Sequence, residues 1–499
     1  MTPERGRRTP VGGLGALIAS AFVVCVLVAV AMVSSGTATA TRAALFPHPT
    51  PTATVPAWLT APSSAPTIGG ATPLSDSAPV PAASALAREL NQRLTPGSGS
   101  IAAAVLDGAT GQTLYSKSGD EPQVPASNLK LLTAAAVLTT LGPDATLRTR
   151  VVRGADPGTV VLVGSGDVML GAGASQPGAV MGRAGMATLA SETAAALAGT
   201  HDAAGSPGAS PSPAADHGTV TVRLDDTLFT GPSLNPAWAP EDVEAGEIAP
   251  LYALALNAGR SAPGAAGARP RDSAMEAATA FRAELARALA ASGMKVAAGV
   301  ERAAAPANAA ELASVESATI AEQTGYVLRE SDNYGAEALG RLASHAAGGA
   351  ASNDGAVSAL KATAGRILGS SDGLVLVDAC GLAIADRVTP AALAGVVRAM
   401  TSGADSRLRA ALDGLPVAAL DGTLARRFGG TASAGAGVVR AKTGTLNTVA
   451  ALSGYLVDVD GRLLVFSLVA NGVDPAARQR AIAAIDSGVA ALAGCGCRS

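Results

Sequence analysis

Histidine, cysteine, aromatic residues and lysine are all scarce in this chain, and each shortage removes a class of chemistry. The four histidines, His48, His201, His217 and His345, form no His-x-His or His-x-x-x-His pair. That scatter argues against a Ser-His-Asp hydrolase and against a zinc peptidase. The four cysteines fit neither a disulfide framework nor a zinc site. Cys25 lies in an apolar run, and Cys380 is isolated and reads as a small buried core residue. Cys495 and Cys497 stand in a Cys-Gly-Cys whose ring would be strained, so a frayed tail is expected there. Aromatics make up 3 % of the residues against 48 % apolar, so the core must pack small and branched side chains. A net charge of -3 gives no reason to expect nucleic-acid binding or a polybasic membrane patch.

Lysine is the most informative shortage, at five against thirty-one arginines. Arginine stays charged at any biological pH, whereas lysine can be discharged by its surroundings and serve as a base. A GC-rich genome produces the same bias, so the lysines speak only in context. Two of the five stand in Ser127-Asn128-Leu129-Lys130 and Lys442-Thr443-Gly444, with Ser331-Asp332-Asn333 between them. Together these segments point to serine acyl transfer without histidine.

Ser-x-x-Lys alone is weak evidence, because Ser292 to Lys295 and Ser358 to Lys361 match it too. A nucleophilic serine belongs at a helix N-terminus, where free N–H groups and the helix dipole favour an oxyanion. Pro125-Ala126 before Ser127 and the apolar residues after it predict a helix over about 127–141. One turn then sets Lys130 on the face of Ser127. Gly293 interrupts the second candidate, and the third has no start signal. Ser-x-Asn has a decoy at Ser233 to Asn235, bracketed by Pro232 and Pro236 in a loop. The version at Ser331 is expected inside a helical stretch over about 320–344. Lys442-Thr443-Gly444 occurs once, opening a strand, and its glycine lets a substrate backbone approach closely.

Around these segments the chain divides into several regions. Arg5, Arg7 and Arg8 precede an uncharged apolar run over 14–33, so 1–45 reads as cytoplasmic arginines with a membrane anchor. A signal peptide cleaved near Ala38-Thr39-Ala40 is the alternative. The remainder is therefore expected outside the cytoplasm, anchored to the plasma membrane or secreted. Residues 46–81 form a Pro/Ser/Thr-rich linker. The first part of a catalytic domain spans 82–146 and contains a hairpin over 101–116. An insertion covers 147–300, and the second part of the catalytic domain covers 301–494. Three successive strands at 438–446, 449–457 and 463–470, then a helix over 475–492, predict an antiparallel meander covered by a helix.

This combination resembles the class C low-molecular-mass penicillin-binding proteins, the D-alanyl-D-alanine carboxypeptidase/endopeptidase family, from about Ala82 to Leu492. Specific echoes are Val163-Gly164-Ser165-Gly166-Asp167, Arg223 to Phe229, Ser331 to Glu337, Asp421-Gly422-Thr423-Leu424 and Ala441 to Leu446. One departure is Asp378-Ala379-Cys380-Gly381-Leu382, where relatives usually read Asp-Gly-Ser-Gly-Leu. The resemblance implies an α/β (α+β) fold: a β-lactamase/transpeptidase-like domain, its antiparallel sheet flanked by helices, with a large inserted mixed α/β region. It implies a serine-type D-Ala-D-Ala carboxypeptidase, with possible DD-endopeptidase activity, acting on peptidoglycan stem peptides and inhibited covalently by penicillins. No cofactor or metal is called for.

By the same resemblance Ser127 is the nucleophile and Lys130, made neutral by burial and by the charge of Lys442, is its base. Ser331 relays a proton to the leaving amine, and Asn333 orients Lys130 and binds the substrate amide. Lys442, Thr443, Gly444 and Thr445 form the substrate strand, the first two holding the substrate carboxylate. The backbone N–H groups of Ser127 and Thr445 make the oxyanion hole. The alternatives are a β-lactamase-type hydrolase and a catalytically idle wall-binding scaffold.

Overall fold

The computed structural model describes residues 74–75, 77–203 and 218–497, the side chains of 199–203 excepted. The expected membrane segment, most of the linker, Cys25, His48 and His217 lie outside the described residues. Among those described, no helix is long and apolar enough to cross a membrane.

Helix α1 (Ala83–Arg93) leads into strands β1 (Ser100–Asp107) and β2 (Thr113–Lys117), and a turn at 126–129 opens helix α2 (Lys130–Thr140). The chain then runs through β3 (Arg148–Arg153), β4 (Thr159–Val163), β5 (Asp167–Leu170), α3 (Met186–Ala203), β6 (Thr219–Asp225) and β7 (Leu254–Leu256). Helix α4 (Ser273–Leu289) precedes the short β8 (Lys295–Val296), β9 (Glu301–Arg302) and β10 (Glu311–Glu316). Helices α5 (Ile320–Glu330), α6 (Asn333–Ala346), α7 (Asn353–Leu368) and α8 (Pro390–Ser402) follow. The meander β11 (Arg440–Leu446), β12 (Val449–Val457) and β13 (Leu463–Asn471) and helix α9 (Arg478–Gly494) come last.

The central sheet has the order β11-β12-β13-β1-β2 and is antiparallel throughout. Side chains alternate across a strand, so each strand feeds two cores. Ile101, Ala103 and Val105 of β1 pack with α1 and α9, while Ala104 and Leu106 face α2, α6 and α8. On β13, Leu464, Phe466 and Leu468 face the first core, and Val465 and Val469 the second. Helices on both faces explain why these strands read as nearly continuous apolar runs. The α/β architecture expected from the sequence is the one observed.

A second, mixed sheet has the order β10-β3-β4-β6-β8, with β9 also on β6 and β4, β6 and β8 parallel. Helices α3 and α4 cover it through Leu189, Phe281 and Leu285. Because β10 pairs with β3, this sheet closes only at Glu316, beyond the boundary at 300 drawn from composition.

Two local expectations are corrected. The helical stretch over 320–344 is two helices, broken where Ser331 takes a left-handed backbone (φ 58°) and the Asp332 side chain caps α6 by accepting the Gly335 N–H. The tail at 495–497 is not frayed. Cys495 and Cys497 form a disulfide, and the Cys497 carbonyl accepts the Ala82 N–H at 2.7 Å.

One buried ion pair joins the hairpin to the meander. Arg462, beside the Asp460-Gly461 turn, donates from Nε to Asp107 Oδ1 at 3.0 Å, and both side chains are almost fully buried. Burial pushes the Asp107 carboxyl up, but hydrogen bonds from Arg462, Thr110 and the Ala109 N–H outweigh it and hold the group below its usual range. Removing one partner of such a pair leaves a buried charge without its counter-charge. Asp107→Ala is expected to lower the unfolding free energy by about 3–5 kcal/mol, read from the urea midpoint.

Candidate active site

The three sequence segments meet at two buried amines. Lys130, the first residue of α2, is fully buried and places Nζ 2.9 Å from Ser127 Oγ, 2.6 Å from Asn333 Oδ1 and 2.7 Å from the Cys380 carbonyl oxygen. Lys442 of β11, also fully buried, donates to Ser331 Oγ at 2.9 Å and to its neighbour's carbonyl, Thr443 O, at 2.8 Å. The hydroxyls of Thr443 and Thr423 are 2.7 Å apart. Ser127 and Ser331 remain half-exposed at the mouth, and Thr445 is exposed.

Ser127 does not lie within the α-helix proper. It sits in a 3₁₀ turn (Ala126–Leu129) that runs directly into α2, and Ala126 before it has φ 47°. Such backbone positions persist only where their surroundings over-determine them. The surroundings here are tight. A Cβ on Gly444 would come within 2.9 Å of the Pro125 carbonyl, and one on Gly381 within 1.9 Å of the Ala126 carbonyl. Asn128 donates to Ser453 Oγ on β12 at 2.8 Å, and Asn471 brackets Val124 with two hydrogen bonds. The serine turn is therefore clamped between β11, β12 and the segment at 378–386.

That segment is held by buried acids. Asp378 accepts N–H donors from Cys380, Gly381, Leu382, Ala383 and the Trp238 indole, all between 2.7 and 3.1 Å. Glu337, one turn beyond Asn333 on α6, accepts the Ala379 N–H at 2.7 Å. Ligand atoms of Glu337, Asp378 and Cys380 lie within 4.8 Å of one another, but Asp378 is already taken up by backbone donors, so the trio reads as an anchor for the loop. Cys380 is buried, and its carbonyl accepts a hydrogen bond from Lys130.

Burial lowers the pKa of Lys130, while Cys380, Asp378, Asp332 and Glu337 push it back up. Lys442 is lowered well below the usual lysine value by burial and then by the charge of Lys130. The repulsion between the two amines is mutual, so a charge on either disfavours a charge on the other. Among the described residues no acid offsets the burial of Lys442, whereas several acids act on Lys130.

The sequence decoys separate from this site. Lys295 is exposed, Ser358 donates to the Asp354 carbonyl within α7, and Asn235 is buried and braces Asn353 and Val377. His345 is exposed at the end of α6. Sequence reasoning missed the carbonyls of Cys380 and Glu247, the second of which accepts Asn333 Nδ2 at 3.0 Å, and it missed Glu337 and Thr423 as site residues. Glu337 could have been found from its spacing of four from Asn333 on one helix face.

Burial and the nearby charge of Asp378 raise the Glu337 carboxyl from the usual 4.5 to about 7. The folded protein holds this proton more tightly than the unfolded chain does. The resulting stability is fully present below pH 4.5 and is lost as pH rises to about 7, an effect on the order of 3 kcal/mol. Glu337→Gln keeps an oxygen for the Ala379 N–H and removes the titration. Its urea midpoint, compared with the parent chain, is expected to improve between pH 5 and pH 8.

Comparison with known proteins places this geometry in a family. The model of the D-Ala-D-Ala carboxypeptidase 3 (S13) family matches residues 84–270 and 263–492. Carboxypeptidase Rv3627c of Mycobacterium tuberculosis is 35 % identical over 443 residues, covering 87 % of this chain and 90 % of that protein. Carboxypeptidase DacB of Mycolicibacterium smegmatis is 33 % identical over 448 residues, covering 88 % and 90 %. In fold, the chain is similar to the crystal structure of penicillin binding protein 4 from Haemophilus influenzae, with a TM-score of 0.62 at 17 % identity over 79 % of this chain and 97 % of that one. The chain belongs to the D-Ala-D-Ala carboxypeptidase 3 (S13) family and is a serine-type D-Ala-D-Ala carboxypeptidase of the low-molecular-mass penicillin-binding kind.

Proposed function

We propose that Ser127 carries the acyl group and Lys130 is its base. The carrying observation is the set of partners around Lys130 Nζ. A neutral amine has two N–H groups and one lone pair. With the N–H groups directed at Asn333 Oδ1 and the Cys380 carbonyl, the lone pair is left facing the Ser127 hydroxyl. Ser127 then attacks the carbonyl of a terminal D-Ala-D-Ala bond, and Lys130 takes the hydroxyl proton. Ser331 passes a proton to the departing D-Ala amine, and water later releases the acyl group.

Lys442 and Thr443 receive the substrate's terminal carboxylate, whose charge pairs with the Lys442 ammonium and favours its protonated form. Thr423 steers the Thr443 hydroxyl. Backbone N–H groups of Ser127 and Thr445 bind the developing oxyanion. The substrates in this reading are peptidoglycan stem peptides ending in D-Ala-D-Ala, with β-lactams as acylating inhibitors. The N-terminal apolar run holds the protein at the outer face of the plasma membrane, or directs its export if cleaved.

Incubation with a fluorescent penicillin tests the assignment. Ser127→Ala is expected to abolish covalent labelling, and labelling at the parent level would remove Ser127 from its role. Lys442→Arg keeps the charge but not the geometry of the ammonium, and is expected to reduce D-Ala release from a pentapeptide by about tenfold or more. Unchanged kinetics would refute the carboxylate-binding role of Lys442.

A further inference from the structure

Among the described residues the inserted region contributes no side chain to the pair of amines, yet it reaches the Ser-x-Asn segment at two points. The Glu247 carbonyl accepts Asn333 Nδ2 at 3.0 Å, which leaves Asn333 Oδ1 turned toward Lys130. Beside it, the buried Arg269 side chain donates from Nε to the Gly246 carbonyl at 2.8 Å, from Nη1 to the Ala258 carbonyl, and from Nη2 to Asp332 Oδ2 at 3.3 Å. The other oxygen of Asp332 caps α6 through the Gly335 N–H at 2.6 Å. One guanidinium thus joins the residue before Glu247, a left-handed stretch at Asn257 and Ala258 (φ 49° and 55°), and the residue before Asn333. Nothing in the acyl-transfer chemistry uses this arginine.

We propose that Arg269 is a positioning residue of the acyl-transfer site: it ties Asp332 to the 246–258 loop and so fixes the Asn333 amide between Glu247 and Lys130. The inference rests on the reading of Ser127 as nucleophile and Lys130 as base. A planar fork with three separate acceptors sets an orientation that a single ammonium cannot reproduce. Arg269 also neutralises Asp332, whose charge acts on Lys130. The charged and titratable groups facing Lys130 are Asp332 and Glu337 on α6, Asp378 and Cys380 on the 378–386 segment, and Lys442 on β11. Arg260, Arg269 and Tyr326 in turn face Asp332. Of these, Arg269 pairs with Asp332 most closely, at 3.3 Å against 3.9 Å for Arg260.

The effects of charge and of fit separate in a double-mutant cycle on the full-length protein, read as the pH profile of penicillin acylation. Active sites are counted by the label bound at saturation. Arg269→Met is expected to slow acylation at neutral pH on the order of tenfold to a hundredfold per active site, and to move the acid limb to higher pH. Asp332→Asn keeps the helix cap and is expected to move that limb to lower pH. The double variant should return the limb toward that of the parent while acylation stays slow. A merely structural role predicts fewer active sites with an unmoved limb, and that result overturns the proposal. If Arg269→Met does not fold, an unmoved limb in Asp332→Asn overturns it instead. Ser127→Ala in the same series keeps the two readings apart. Label on that variant defeats the nucleophile assignment, whereas unmoved limbs with Ser127-dependent labelling defeat only the role of Arg269.

Discussion

Two lysine amines buried next to each other are the constraint around which the rest of the site is arranged. Each amine has been taken out of water, and the charge of one bears on the other. A buried amine is tolerated only where acceptors replace its lost water. For Lys130 the polar partners come from three separate places: the turn before α2, the start of α6 and the loop at 378–386. The acids near Lys130 and their absence beside Lys442 make the two sites unequal. That inequality leaves one amine in a more negative field than the other, which fits the proposed division between a base and a site for the substrate's carboxylate.

Holding three chain segments to within hydrogen-bond reach of one nitrogen demands a rigid frame. The central sheet provides it, since β11 carries Lys442 and is paired residue by residue with β12 from Arg440 to Leu446. Ser453, opposite Lys442 in that register, belongs to a chain of hydroxyls running from Asn128 to Ser467 on β13. The serine turn is therefore fixed to the strand that bears the second amine. Left-handed residues at Ala126 and Ser331 fall where this frame meets the helices, which is where local backbone preference conflicts with the positions the side chains must take.

How much of this was legible in the sequence depended on whether a feature is carried by side chains or by backbone. The meander could be read because β12 and β13 are largely apolar runs separated by turn residues, with β11 just ahead of them. Ser127, Lys130, Ser331, Asn333 and Lys442 could be read because their spacing and order are themselves the signal. The break at Ser331 could not be read. A non-glycine residue in the left-handed region leaves no mark, and the residues on either side continue a helical pattern. Nor could the carbonyls of Cys380 and Glu247, since every residue has a carbonyl and only the fold selects which one faces an amine. The end of the inserted sheet was misplaced for a similar reason. Its last strand, β10, pairs with β3 across more than 150 residues of chain, and no local composition change marks it.

The cysteine in Asp378-Ala379-Cys380-Gly381-Leu382 shows how that distinction bears on function. Cys380 stands where a serine is usual, the one departure from the pattern noted in the sequence. In the structure its side chain is buried beside Asp378 and Glu337, while its carbonyl meets Lys130. A backbone acceptor is indifferent to the side chain on the same residue, provided the loop keeps its path. Asp378 holds that path through four successive backbone N–H groups, and Gly381 (φ 78°) lets the loop pass within contact of Ala126. The contact to Lys130 therefore depends on Asp378 and Gly381 more than on the side chain of residue 380, and exchanging a hydroxyl for a thiol in the buried pocket leaves the partners of Lys130 in place.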